Sequence, residues 1–140
     1  MVPLTDPDPE ALEESDWFAA AFAYIEASEY HLSQGDGSWS APNRAQDLRT
    51  TFSPQGLHLA RRTEGEPSWT WDLALARVGR DGAMVDVDAP TMATHENRIT
   101  YQRGRVSEGY TNAASGLEQT ISLAVPPLDR PAGPLYIDLA

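Results

Sequence analysis

NRITYQRGRVSEGYTNAASGLEQTISL, Asn97 to Leu123, changes character at every second residue. Ile99 and Tyr101 alternate with Arg98, Thr100 and Gln102. Glu108, Tyr110 and Asn112 fall at alternate positions, and so do Leu117, Gln119, Ile121 and Leu123. Period 2 marks a strand, whose successive side chains point to opposite faces. Asn112-Ala-Ala-Ser-Gly116 has the layout of a short connection closed by glycine, so the stretch predicts two strands paired through it. Within it, Glu108 to Gln119 gathers two carboxylates and two amides into one short polar run.

The same alternation extends outward on both sides. Towards the N-terminus, Asp47-Leu-Arg-Thr-Thr-Phe and Leu57-His-Leu-Ala-Arg-Arg flank Ser53-Pro-Gln-Gly56, a turn in which proline presets the second position. WTWDLALAR sets Trp69, Trp71, Leu73 and Leu75 on one face, and core packing is the expectation for both tryptophans. Arg80-Asp81-Gly82 then turns into a second hairpin. Tyr30 and Leu32 open the strand region, a loop is expected over Gly35–Arg44, and Leu135, Ile137 and Leu139 close the chain as a strand. Pro126–Pro134 is proline-rich and reads as a loop. Seven to nine short strands at regular spacing predict a mainly β fold, an antiparallel β-sandwich or open barrel.

Before Ser28 the period is different. Asp8-Pro9 opens a helix, Glu10, Glu13, Glu14 and Asp16 favour the positive end of its dipole, and Leu12, Phe18, Phe22 and Ile25 recur at helical spacing. One amphipathic helix is therefore predicted from about Pro9 to Ser28, its apolar stripe covering a sheet face or one end. Residues 1–8 read as an extended acidic lead-in, and residues 9–140 as one β-rich domain. A chain of 140 residues is long enough for one core and too short for two.

Composition excludes several functions. Cysteine is absent, so there is no disulfide framework, thiolate metal site or cysteine nucleophile. All ten basic residues are arginine, against 21 acids, for a net charge of −11. Nucleic acid is a poor partner for such a surface, because binding needs a concentrated positive stripe. The longest apolar run, Trp17–Ile25, is far below the length of about 20 residues that a spanning helix needs, so no membrane insertion is expected. MVPLTDPDPEALEESD carries acids where a signal peptide has bases, which points to a cytoplasmic chain or to an internal start within a longer secreted one.

No motif for catalysis or a cofactor emerges. His31, His58 and His95 stand alone, without HxH or HxxxH spacing, and Asp86-Val-Asp88 lacks the glycine and terminal acid of a calcium loop. No serine sits in GxSxG or SxxK, and no glycine run cradles phosphate. Neither a metal nor a cofactor is expected. Trp39, in the Gly/Ser-rich stretch, is the tryptophan kept for a ligand. In the opening run the expectation is a polar network in which Arg44 and Arg49 hold Glu108 or Glu118, together with Tyr110, Asn112 and Gln119. These eight residues form the candidate cluster, for a ligand or for structure.

The succession SEYHLS, APNRAQDLRTTFSPQGLHL, WTWDLAL and NRITYQRGRVSEGYTNAASGLEQTISLAVPP resembles the N-terminal β-rich module of large bacterial surface or secreted proteins that continue into FG-GAP or similar β-propeller repeats. The resemblance spans about Trp17 to Ala140. It implies an extracellular or cell-envelope location, downstream repeats or other surface proteins as partners, and a chain cut short at its C-terminus. It carries over no catalytic residue. A non-catalytic interaction module is the leading expectation, a glycan-binding sandwich using Trp39 the second, and a hydrolase with an unmarked Ser/His/Asp site the third.

Overall fold

A computed structural model describes residues 9–124 and 133–140. The expected lead-in of residues 1–8, and all of the Pro126–Pro134 loop except its last two residues, lie outside that range. The described chain is mainly β: one helix and three antiparallel sheets, with no closed barrel.

Helix α1 spans Pro9–Ser28, as its opening Asp-Pro and apolar spacing predict. It ends in tight turns, Tyr30 N–H donating to Ala27 O at 3.2 Å and His31 N–H to Ser28 O at 3.1 Å. Tyr30 and Leu32 therefore belong to the helix exit and not to a strand.

Among the described residues twelve strands follow, more than the seven to nine expected, because several are very short. The first five are β1 (Ser33–Gln34), β2 (Trp39–Asn43), β3 (Leu48–Ser53), β4 (Gly56–Arg61) and β5 (Thr70–Leu73), and they make a five-stranded sheet in sequence order. A three-stranded sheet is ordered β12-β6-β7, from β6 (Leu75–Arg80), β7 (Ala83–Asp86) and β12 (Leu135–Leu139). The four-stranded sheet, ordered β11-β10-β9-β8, holds β8 (Thr91–His95), β9 (Arg98–Arg103), β10 (Val106–Ala113) and β11 (Gly116–Leu123). All three hairpins expected from turn chemistry form: Ser53 faces Gly56, Arg80 faces Ala83, and Ala113 faces Gly116.

The core lies between the five- and four-stranded sheets. Ala41, Phe52, Leu57 and Leu59 come from one, and Ile99, Tyr101 and Tyr110 from the other. Phe52 is the centre of an aromatic group, its ring centroid 5.2 Å from Tyr110 and 6.5 Å from Tyr101. Tilted contacts of this kind add to the burial of each ring.

Three further expectations are corrected. Trp39–Asn43 is a strand and not a loop, because Trp39, Ala41 and Asn43 turn inward at alternate positions while Ser40 and Pro42 turn away. Pro42 is tolerated because β1 pairs only with Trp39 and Ser40, so the missing N–H faces no partner strand. Trp69–Arg77 is not one strand: Leu73 pairs with Leu57 in one sheet, and Leu75 with Leu139 in another. Ala74 is the crossing point, exchanging two 2.8 Å backbone bonds with Ala140. Trp71 then sits on an edge strand with little packed over it and is 56% exposed, while Trp69, just before that strand, is 40% exposed.

The third correction concerns α1. Trp17, Phe18, Phe22, Tyr24 and Ile25 are 59% to 69% exposed, so the helix covers no sheet face. The two large sheets already close on each other. The outer face of the five-stranded sheet carries Arg49, Thr51, His58, Ala60, Thr70 and Asp72 across β3, β4 and β5, and these strands offer no large apolar side chain to receive the aromatic stripe.

Candidate functional site

The run Glu108–Gln119 occupies β10, its turn and the first half of β11, and its inward residues divide into two clusters. In the first, strand register places Glu108 opposite Tyr101, and Tyr110 opposite Gln119 and Ile99. Glu108 is 2% exposed. The Tyr110 hydroxyl donates to Glu108 Oε1, and Gln119 Nε2 donates to the same oxygen at 3.2 Å and to Tyr110 Oη at 3.0 Å.

The cation beside Glu108 is Arg103, with Nε 3.4 Å from Oε2 and both side chains buried. This is an ion-pair contact and not an aligned hydrogen bond: neither Arg103 Nε nor Glu108 Oε2 has a hydrogen-bond partner among the described residues. Arg103 is held by donation from Nη1 to Asp88 O at 3.1 Å, and its guanidinium lies 5.4 Å from the Tyr101 ring centroid. Burial pushes the Tyr110 hydroxyl well above the usual phenol range, and its bond to Glu108 pushes it further. Burial does the same to Tyr101, with the Glu108 charge adding to it. Both are fixed as neutral phenols at physiological pH, the reverse of what a tyrosine base requires.

Arg44 and Arg49 do not hold Glu108 or Glu118. Arg44 meets Glu29 at 3.5 Å on the surface. Arg49 lies on the outer face of β3, pointing away from the core that receives its neighbour Thr50. Glu118 is exposed on β11 and, among the described residues, accepts only a 3.4 Å bond from Thr120 Oγ1. The cation for Glu108 was legible within the opening run itself. Arg103 and Val106 flank the Gly104-Arg105 turn, which brings Arg103 onto the Glu108 face one pair away on the diagonal.

The second cluster is built on two buried amides, Asn112 and Asn43. Asn43 Nδ2 donates to Asn112 Oδ1 at 2.9 Å and to Ala113 O at 2.7 Å, while its Oδ1 accepts from Gln46 N–H at 3.1 Å. Asn112 Nδ2 donates to Pro42 O at 2.8 Å and to Tyr30 O at 3.1 Å. Both amides are spent on structure: they tie the helix exit and β2 to β10, and neither keeps a free donor. Asn43 was not singled out from the sequence, although its place in a β2 inward position identifies it once the strand is known.

Trp39 pairs with Phe52 across β2 and β3, and packs half-buried against the core. It is an edge of the core and not a presented platform. Among the described residues no three His, Cys, Asp or Glu gather as a metal site. The nearest arrangement to a catalytic dyad is His58 Nδ1, 2.7 Å from Asp72 Oδ1 in a row with Thr51 on the outer sheet face. Both partners are solvent-exposed and no hydroxyl among the described residues donates to the imidazole, so the arrangement lacks the buried acid and the engaged nucleophile of a triad.

No family model, curated protein or solved structure matches this chain. No helix among the described residues is long and apolar enough to cross a membrane.

Proposed function

We propose that the chain is a non-catalytic interaction module of a bacterial surface or secreted protein, docking another folded chain through α1. The observation that carries this reading is the row of five large apolar side chains, Trp17, Phe18, Phe22, Tyr24 and Ile25, each more than half exposed on one helix. A soluble domain rarely presents a contiguous apolar patch larger than a few hundred Å², and such a patch marks a binding face. The candidate polar residues favour the same conclusion from the other side, since Glu108 Oε1, the Tyr110 hydroxyl, the Asn112 amide and Gln119 Nε2 are committed to internal partners. The surface or secreted setting, and a downstream repeat as the partner, rest on the sequence resemblance.

The test uses the whole chain. Light scattering after size exclusion should show concentration-dependent self-association through the uncovered helix, with binding of the apolar dye ANS. Phe18→Ser with Phe22→Ser should give a monomer with little dye binding and an unchanged β spectrum. A wild-type monomer that ignores the dye, or a variant indistinguishable from wild type, contradicts the docking face. Labelling of a serine by a fluorophosphonate probe contradicts the non-catalytic assignment.

A further inference from the structure

A second surface lies on the outer face of the five-stranded sheet. Register sets Arg49 on β3, Ala60 on β4 and Thr70 on β5 in one row. The row points outward because Thr50 and Leu59, the alternate residues of β3 and β4, are buried on the inner side. Residues 62–69, which join β4 to β5, fold along this row and close a cleft of about 540 Å³ with Arg49, Arg62, Glu64, Glu66, Trp69 and Thr70 on its walls. Two strand spacings, roughly 10 Å, separate the strands of Arg49 and Thr70, room for a short chain of sugar rings.

The base of the connecting segment is locked by Asp47. Its carboxylate accepts from Arg61 Nε at 3.1 Å, from Thr63 N–H at 3.1 Å and from the Thr63 hydroxyl at 2.8 Å. Those bonds, the Thr63 hydroxyl first, hold the Asp47 carboxyl below the usual carboxylate range. Arg61 is thereby neutralised, whereas Arg49 and Arg62 make no ion pair among the described residues.

We propose that this cleft binds a neutral saccharide. Arg49 and Arg62 only donate hydrogen bonds, and Glu64 and Glu66 only accept them. A sugar hydroxyl does both, so adjacent hydroxyls satisfy the two kinds of side chain together. An anion would face two carboxylates on a chain of net charge −11, and a cation would face two free guanidiniums. Trp69 adds a flat apolar surface for the C–H face of a sugar ring, the amphipathic pairing that a tryptophan at a wet site provides. Trp71 takes no part: it pairs with Leu59 towards the inner side and is not on the cleft wall.

The proposal is independent of α1. Intrinsic fluorescence and calorimetry on the full chain test it, with neutral hexasaccharides of β-glucan, α-glucan, mannan and xylan as probes and an oligogalacturonate as the anionic arm. At least one neutral probe should bind saturably. Trp69→Ala, by loss of the stacking surface, and separately Arg49→Gln with Arg62→Gln, by loss of hydrogen bonds to a charged group, should each weaken it by about tenfold or more. Trp71→Ala should leave affinity within about twofold, and circular dichroism should be unchanged, since Arg49, Trp69 and Trp71 are exposed and Arg62 is only half-buried. If Trp69→Ala perturbs the fold, the arginine pair decides alone. No binding by any neutral probe at millimolar concentration, binding by oligogalacturonate only, or affinity indifferent to the Trp69 and arginine changes overturns the proposal.

Discussion

Replacing Asn112 by alanine should be among the costliest polar substitutions in the chain. The side chain is 2% exposed and makes three hydrogen bonds: it accepts from Asn43 Nδ2 and donates to Pro42 O and Tyr30 O. Each intramolecular bond contributes about 1 kcal/mol net, while a buried partner left unsatisfied costs about 1–3 kcal/mol. Asn43 Nδ2 keeps Ala113 O, so the damage concentrates on the two carbonyls that β2 and the helix exit present. The expected loss is about 3–4 kcal/mol, a large part of the 5–15 kcal/mol typical of a domain. Urea denaturation followed by tryptophan fluorescence measures it, with an unchanged m-value if the variant still folds to the same compact state. Ser115→Ala, three residues on in the exposed turn, should stay within about 0.5 kcal/mol. A loss below about 1 kcal/mol for Asn112→Ala would refute the assignment of these bonds as the tie between helix exit, β2 and β10.

Alkaline pH should destabilise the fold. The Tyr101 and Tyr110 hydroxyls have folded pKa values raised above the ordinary 10.0, so their contribution is fully present below that pH and is lost as pH rises and the unfolded phenols ionise. Denaturation midpoints should fall above about pH 10, and less steeply in Tyr110→Phe. At the acid end the Asp47 carboxyl, held below its ordinary 3.8, contributes stability that is lost as pH falls below that value, and Asp47→Asn should flatten this limb. Gly56→Ala should cost more than the roughly 1 kcal/mol of an ordinary turn change, because φ is 142° there and a Cβ would overlap the Leu73 carbonyl across β4 and β5; thermal melting reads it.

Much of this fold is readable from local chemistry. The helix limits follow from Asp8-Pro9 and the loss of helical spacing at Ser28, and the hairpins at Ser53–Gly56, Arg80–Ala83 and Ala113–Gly116 follow from turn residues between alternating runs. What period 2 does not encode is which sheet a strand joins. Trp69, Trp71, Leu73 and Leu75 share a parity, yet the chain changes sheets at Ala74, which leaves one end of the row buried and the other in solvent. The candidate cluster divides in the same way. Glu108, Tyr110, Asn112 and Gln119 are gathered by adjacent strands, so alternation alone finds them. Choosing a cation for Glu108 needed the register across Gly104-Arg105, where Arg103 comes diagonally beside the acid; Arg44 lies on the surface with Glu29, and Arg49 on the outer face of β3. The uncovered face of α1 was hidden for another reason: helical spacing shows which side is apolar, but not whether the sheets leave a surface to receive it.

That the polar run builds the sandwich interior is tested most directly by a double-mutant cycle on Arg103 and Glu108, measured by equilibrium urea denaturation. Glu108→Gln sets an amide N–H against the buried guanidinium, and Arg103→Gln leaves the carboxylate without its counter-ion. Each single change should cost about 3–5 kcal/mol, the penalty of an uncompensated buried charge. The double variant should be less destabilised than the sum by about 1–3 kcal/mol, because the second change removes the charge that the first left stranded. Additive losses, or single variants as stable as wild type or more so, would contradict the structural role and return Glu108 to the residues held in place for chemistry.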